Sequence, residues 1–212
     1  MSEQPTSTAP DGVKPPSGIF DRYHTKAKVV LINNTSSDLV GASIAHKYSD
    51  DFKDHHSWGI IKPGERSSPM TVNYYTGTFT TGRSWWVVQF ATGEWFCYTD
   101  PKNLRSIVDV LEGQAPFIVS KLVGIAARLA MARREGPPPP NFDELVDQAE
   151  KATEALVKLL TNSESTDGFK QHILEDEDAN HVTEIIINSD WTVTFSSRSG
   201  RSDTNLAWTK KN

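Results

Sequence analysis

Apolar and polar positions alternate with a period of two along most of the chain and with a period near 3.6 in its middle part. Ala27–Asn33 (AKVVLIN) is a β-branched run, apolar on both faces, which predicts a buried strand. Leu39–Tyr48 predicts a second, with Val40, Ala42, Ile44, His46 and Tyr48 on one face. Asn33-Asn34-Thr35-Ser36-Ser37 between them is turn chemistry, since Asn tolerates positive φ and Ser bonds its own backbone; 27–48 therefore reads as a hairpin. A polar stretch after Tyr48 reads as a loop. Over 69–76, Met70, Val72 and Tyr74 alternate with Thr71 and Asn73, a strand pattern. Ser84–Phe90 and Glu94–Thr99, around Ala91-Thr92-Gly93, predict a second hairpin. Val182–Asn188 and Trp191–Ser196 predict a third, with Trp191, Val193 and Phe195 facing in, and Thr204–Thr209 adds an edge strand.

The helical period fills the insertion 101–161. Asp100-Pro101 is a cap followed by Pro at the first helical position, and Leu104, Ile107, Val108 and Leu111 follow at helical spacing. A second helix over 116–134 is apolar almost all round, with a thin stripe of Lys121, Gly124 and Arg128, and ends basic at Arg133-Arg134, which suits the helix dipole. After the rigid Pro137–Pro140, Asn141 and Glu144 form a capping box for a third helix. Its apolar seam is Leu145, Ala149, Ala152, Leu156 and Leu159, which predicts an antiparallel pair with the second helix. The elements add up to an antiparallel β-sandwich, mainly β, with a helical hairpin or layer.

Composition narrows the function classes. The chain has 212 residues, 37% hydrophobic and 23% charged, which suits one domain over 25–212 behind a Pro/Ser/Thr-rich tail, 1–24. The net charge of −5 gives no field that would draw nucleic acid. One cysteine, Cys97, forbids an internal disulfide, and the first residues hold no apolar run of the signal-peptide kind, so the cytoplasm is the expected compartment.

Five groupings carry candidate chemistry. His46, Asp54 and His56, near Asp50, Asp51 and His55, have ligand types for a divalent ion, but match neither an EF-hand nor a zincin spacing and read as a solvated loop. His172 with Glu175, Asp176, Glu177, Asp178 and His181 lacks the Gly turn of a calcium loop. No Ser stands in a Gly-x-Ser-x-Gly elbow, and Cys97, within the aromatic run Trp95-Phe96-Cys97-Tyr98, suits a buried inert thiol. No cofactor is expected. The aromatic set puts Trp86 and Tyr74 in the core and Trp85 and Tyr75 on the opposite faces. Those faces are covered by helices, a second subunit, a sugar or a lipid headgroup, with Arg83 beside Trp85 for cation–π stacking; Trp58, Tyr75, Arg83 and Trp85 are the candidate binding residues. The apolar helix 116–134 is the fifth, either a layer on the sheet or a conditional membrane anchor with Leu122 and Leu129 on its apolar surface.

VVLINNTSSDL, HKYSDDFKDHHSWG, PGERSSPMTVNYYTG, TTGRSWWVVQF and YTDPKNLR, with FKQHILEDEDA and TVTFSSRSG near the end, together resemble the PUD domain family, named for up-regulation in long-lived Daf mutants. The resemblance implies an aegerolysin-like β-sandwich that tends to dimerise, with no established enzymatic activity. It supports a non-enzymatic interaction or structural module, a homodimer or paralogous heterodimer. Lipid or membrane binding is the alternative, by fold analogy with aegerolysins.

Overall fold

The computed structural model describes residues 22–77, 80, 82–100, 116–162, 166 and 168–210. The first predicted helix, at 104–111, and residues 1–21 of the expected tail lie outside the described residues, while Tyr23 and His24 already belong to a strand. In chain order the elements are β1 Tyr23–Asn33, β2 Leu39–Tyr48, β3 Phe52–Ile61, β4 Met70–Thr76, β5 Ser84–Thr92, β6 Trp95–Asp100, α1 Pro116–Glu135, α2 Phe142–Asn162, β7 Lys170–Gln171, β8 Val182–Ile187, β9 Thr192–Ser196 and β10 Arg201–Lys210.

The mainly β fold with a helical insertion forms as one mixed sheet, in the order β3-β2-β5-β6-β10-β9-β8-β1-β4, with β7 beside β5. Its neighbours are antiparallel except β1 and β8, which run parallel. The sheet curls until its two end strands meet. They are joined by side chains: Asp54 on β3 accepts from Asn73 N at 2.7 Å and from Asn73 Nδ2 at 2.8 Å on β4. Farther along, Trp58 Nε1 donates to Ser68 Oγ at 3.0 Å. The result is a nearly closed barrel.

Several expectations change. The hairpin 27–48 does not form: β1 pairs with β4 and β8, and β2 with β3 and β5. Asn33 holds the crossing over the seam, its Nδ2 donating to Ser37 O at 2.8 Å and to Ile61 O on β3 at 2.9 Å. The stretch after Tyr48 is strand β3, paired with β2 from Leu39↔Ile61 to Tyr48↔Phe52, and its Asp54 serves the barrel seam. β10 is central, not an edge, bridging β6 and β9.

Two apolar cores result. The inner one fills the barrel with Leu31, Ile44, Val72, Trp86, Phe90 and Phe195 among others. The outer one packs α1 and α2 on the other face of β2, β5 and β6. Hence β2 is buried throughout. Gly41 switches its faces: at φ +58 it breaks the alternation between Val40 and Ser43, so Val40 joins the outer core while Ala42 and Ile44 face inward. A Cβ at Gly41 would stand 2.2 Å from Thr153 Oγ1, so the glycine also lets α2 approach. In α2 the buried seam runs Leu145, Ala149, Thr153, Leu156 and Leu160. The expected Ala152 and Leu159 pack half-buried at its margin, while Thr153 and Leu160 take the buried line, Thr153 with its hydroxyl donating to Gly41 O at 2.9 Å.

Candidate functional site

The predicted binding set is dispersed. Trp58 is buried in the inner core, its Nε1 spent on Ser68. Tyr75 packs against Phe52 at 5.0 Å between ring centroids. The cation over Tyr75 is Arg22, 3.6 Å from the ring centre, which also pairs with Asp51. Arg83 contributes its backbone, N donating to Ser49 Oγ at 3.2 Å. Trp85 packs half-buried against the helical core, one of the coverings expected for that face. The four residues do not converge on one surface.

The weak metal candidates form part of the seam. His46 is fully buried against Trp86, ring centroids 4.2 Å apart, and its Nδ1 stands 3.3 Å from Asp54 Oδ2. Burial lowers the imidazole pKa, so the ring is neutral, and the accepting carboxylate assigns the proton to Nδ1. Burial alone would raise the Asp54 carboxyl, but hydrogen bonds from His46 and Asn73 hold it below the ordinary range. His56 lies exposed, edge-on to Trp58. Among the described residues no three His, Cys, Asp or Glu side chains are grouped to hold an ion.

The second His/acid grouping becomes a clasp that sequence reasoning missed. His172 Nδ1 meets Ser202 Oγ at 2.9 Å and its Nε2 meets Ser197 Oγ at 3.1 Å. Ser197 Oγ lies 2.9 Å from Ser199 Oγ, which donates to Asp178 Oδ2. Ser, His and Asp thus meet, but Asp178 lies beyond Ser199 and no bond joins it to the imidazole. Burial pushes His172 down to about 4, too weak a base to take a proton from a serine near neutrality. A Ser-rich loop that follows an acidic segment serves here for tethering: it ties 172–178 to 197–202. Cys97 is buried and its thiol is pushed up to about 12, which disarms it as a nucleophile.

What the structure does present to solvent is a row of tryptophans. Trp208 pairs with Cys97 and Lys210 with Trp95, so Trp95 and Trp208 are diagonal neighbours on the face that carries Cys97 and Leu206 inward. They continue that face past the end of the core and stand 43% and 54% exposed. Trp191, held at φ +64 in the β8–β9 turn, packs half-buried at the same end of the barrel. Lys210 Nζ borders the row, bonded to Glu94 at 2.9 Å and 5.7 Å from the Trp95 ring. A polar groove of about 790 Å³ lies on the sheet face that the helices leave bare, lined by Lys170, Asn188, Asp190, Thr194, Arg201 and Asp203 among others.

Fold and surface together define a curled β-sheet protein with a helical layer and an aromatic rim. A family model described as up-regulated in long-lived daf-2 matches residues 23–206, and the chain belongs to that PUD family. No curated protein matches the chain. The family resemblance reads as architecture: HKYSDDFKDHHSWG and PGERSSPMTVNYYTG meet at the Asp54–Asn73 and Trp58–Ser68 seam, and FKQHILEDEDA meets TVTFSSRSG at the His172 clasp.

Proposed function

We propose that this protein is a non-enzymatic interaction module that works as a dimer, with itself or a paralogue, through the rim of Trp95 and Trp208. The observation that carries the reading is the exposure of two adjacent tryptophans on strands otherwise facing a core. Large aromatics are enriched in protein interfaces, where they bury much area at little entropic cost. The titratable clusters support the same reading, since each is spent on joining strands. The test is solution mass by light scattering. The expected value for a homodimer is twice 23.6 kDa, falling to 23.6 kDa for Trp95→Glu/Trp208→Glu with an unchanged circular dichroism spectrum. A wild-type monomer at high concentration removes the homodimer and leaves a paralogue pair to be tested by co-expression.

The alternative is docking on a lipid surface, favoured by the same tryptophans with Lys210 beside them. α1 is a poor anchor: no described helix is long and apolar enough to cross a membrane, and Leu122 and Leu129 are buried against the sheet. Vesicle flotation separates the two readings, because lipid docking predicts binding that Trp208→Glu abolishes.

A further inference from the structure

Beneath the helical hairpin the outer face of the sheet carries two polar side chains, Ser43 and Gln89, that the helices do not answer. Ser43 on β2 lies directly opposite Gln89 on β5, and Gln89 opposite Tyr98 on β6, so the three form one cross-strand row. Their neighbours two positions along, Ala45, Val87, Ala91 and Phe96, belong to the outer core, which places the row on that face. Gln89 is 1% exposed and Ser43 is wholly buried. Neither Nε2 nor Oε1 of Gln89 has a hydrogen-bond partner, and Ser43 Oγ has none. The core that the helices lay over this face is apolar, with Leu122, Ala126, Ala149 and Leu156 among its members.

An apolar enclosure with a few converging polar atoms is the ordinary make-up of a small-molecule site. Buried amides are kept in native proteins when something satisfies them. We infer that the interface between the hairpin and the outer face of β2, β5 and β6 is a binding slot for a small amphiphile, whose hydrogen-bonding head is taken by Gln89 and Ser43. The head must both accept and donate, because a carboxamide offers both; a primary amide or a protonated carboxylic acid does so and an ether does not. The apolar tail lies between Val87 and the helix side chains. Entry requires the hairpin to lift, and the hairpin is tied down at its margins by Thr153 Oγ1 to Gly41 O at 2.9 Å and by Arg133 Nη1 to Asp38 Oδ1 at 2.6 Å. The slot is independent of the tryptophan rim, so it stands or falls without the dimer.

The test is thermal unfolding of the full chain with decanamide, decanoic acid and dipropyl ether, each below its aggregation limit. Decanamide or decanoic acid at about ten times its Kd raises the wild-type Tm by about 4 °C, and the ether does not. Gln89→Leu abolishes that shift while raising the unliganded Tm, since it removes an unanswered amide from an apolar setting. Ser43→Ala, a milder change, reduces the shift severalfold. No shift with either amphiphile overturns the proposal, as does a shift that Gln89→Leu leaves intact. A Gln89→Leu protein that folds but melts lower, with no ligand shift in the wild type, means that the amide holds ordered water only.

Discussion

Gly41 concentrates two requirements in one residue. It adopts φ +58, and a Cβ there would lie 2.2 Å from Thr153 Oγ1 and 2.8 Å from Leu122 Cδ2. Gly41→Ala is therefore expected to destabilise the fold by roughly 2 kcal/mol, read as a lower urea midpoint, by combining left-handed strain with a clash against α2. At Cys97 the prediction is about reactivity. Its buried thiol, pushed up to about 12, should resist iodoacetamide in the folded protein and react only as the chain unfolds. Labelling in native buffer at the rate of a free thiol would show that β6 opens. The sequence anticipated this cysteine correctly, because an aromatic run on a strand implies burial. Gly41 it did not explain, since neither a bulge nor a helix lying above it leaves a local mark.

At the scale of elements, the seam between β3 and β4 is where side chains replace a backbone ladder. Asp54 alone accepts from Asn73 N, Asn73 Nδ2 and His46. Asp54→Ala leaves buried donors without an acceptor and should cost roughly 3 kcal/mol, with faster amide exchange in β4 than in β8. Equal exchange in the two strands would show that the barrel holds without this carboxylate. The seam also shows why the polar stretch after Tyr48 reads as a loop in the sequence yet forms a strand. Asp54, His55 and His56 look solvated by composition, yet β3 runs from Phe52 to Ile61 and Asp54 is needed by Asn73, a partner farther along the chain. The helices were more legible. α1 ends within one residue of its predicted bound, because a long apolar segment closed by Arg133-Arg134 and a proline run is a local signal.

For the whole molecule the testable property is how stability varies with pH. Burial lowers His172 to about 4 from the ordinary 6.5 and lowers His46 as well, so the unfolded chain binds protons more readily than the folded one. The stability held by His172 is complete above about pH 6.5 and drains as pH falls through its folded value, a loss of about 3 kcal/mol between those limits. Urea midpoints at pH 7 and pH 5 should differ accordingly, and His172→Gln should flatten the slope. A midpoint unchanged between the two pH values would mean that the clasp protonates without opening. Periodicity and turn chemistry, which act over a few residues, suffice to show that the chain is mainly β with a helical insertion and where most strands and both described helices lie. The family resemblance rests separately on the motif stretches that carry it. The tertiary structure alone decided that β1 lies parallel to β8 and away from β2, that β10 sits in the middle of the sheet, that Trp58 and Trp85 are packed while Trp95 and Trp208 face solvent, and that His172 is a clasp. Each depends on which distant segments meet, and burial belongs to that meeting, not to the residue.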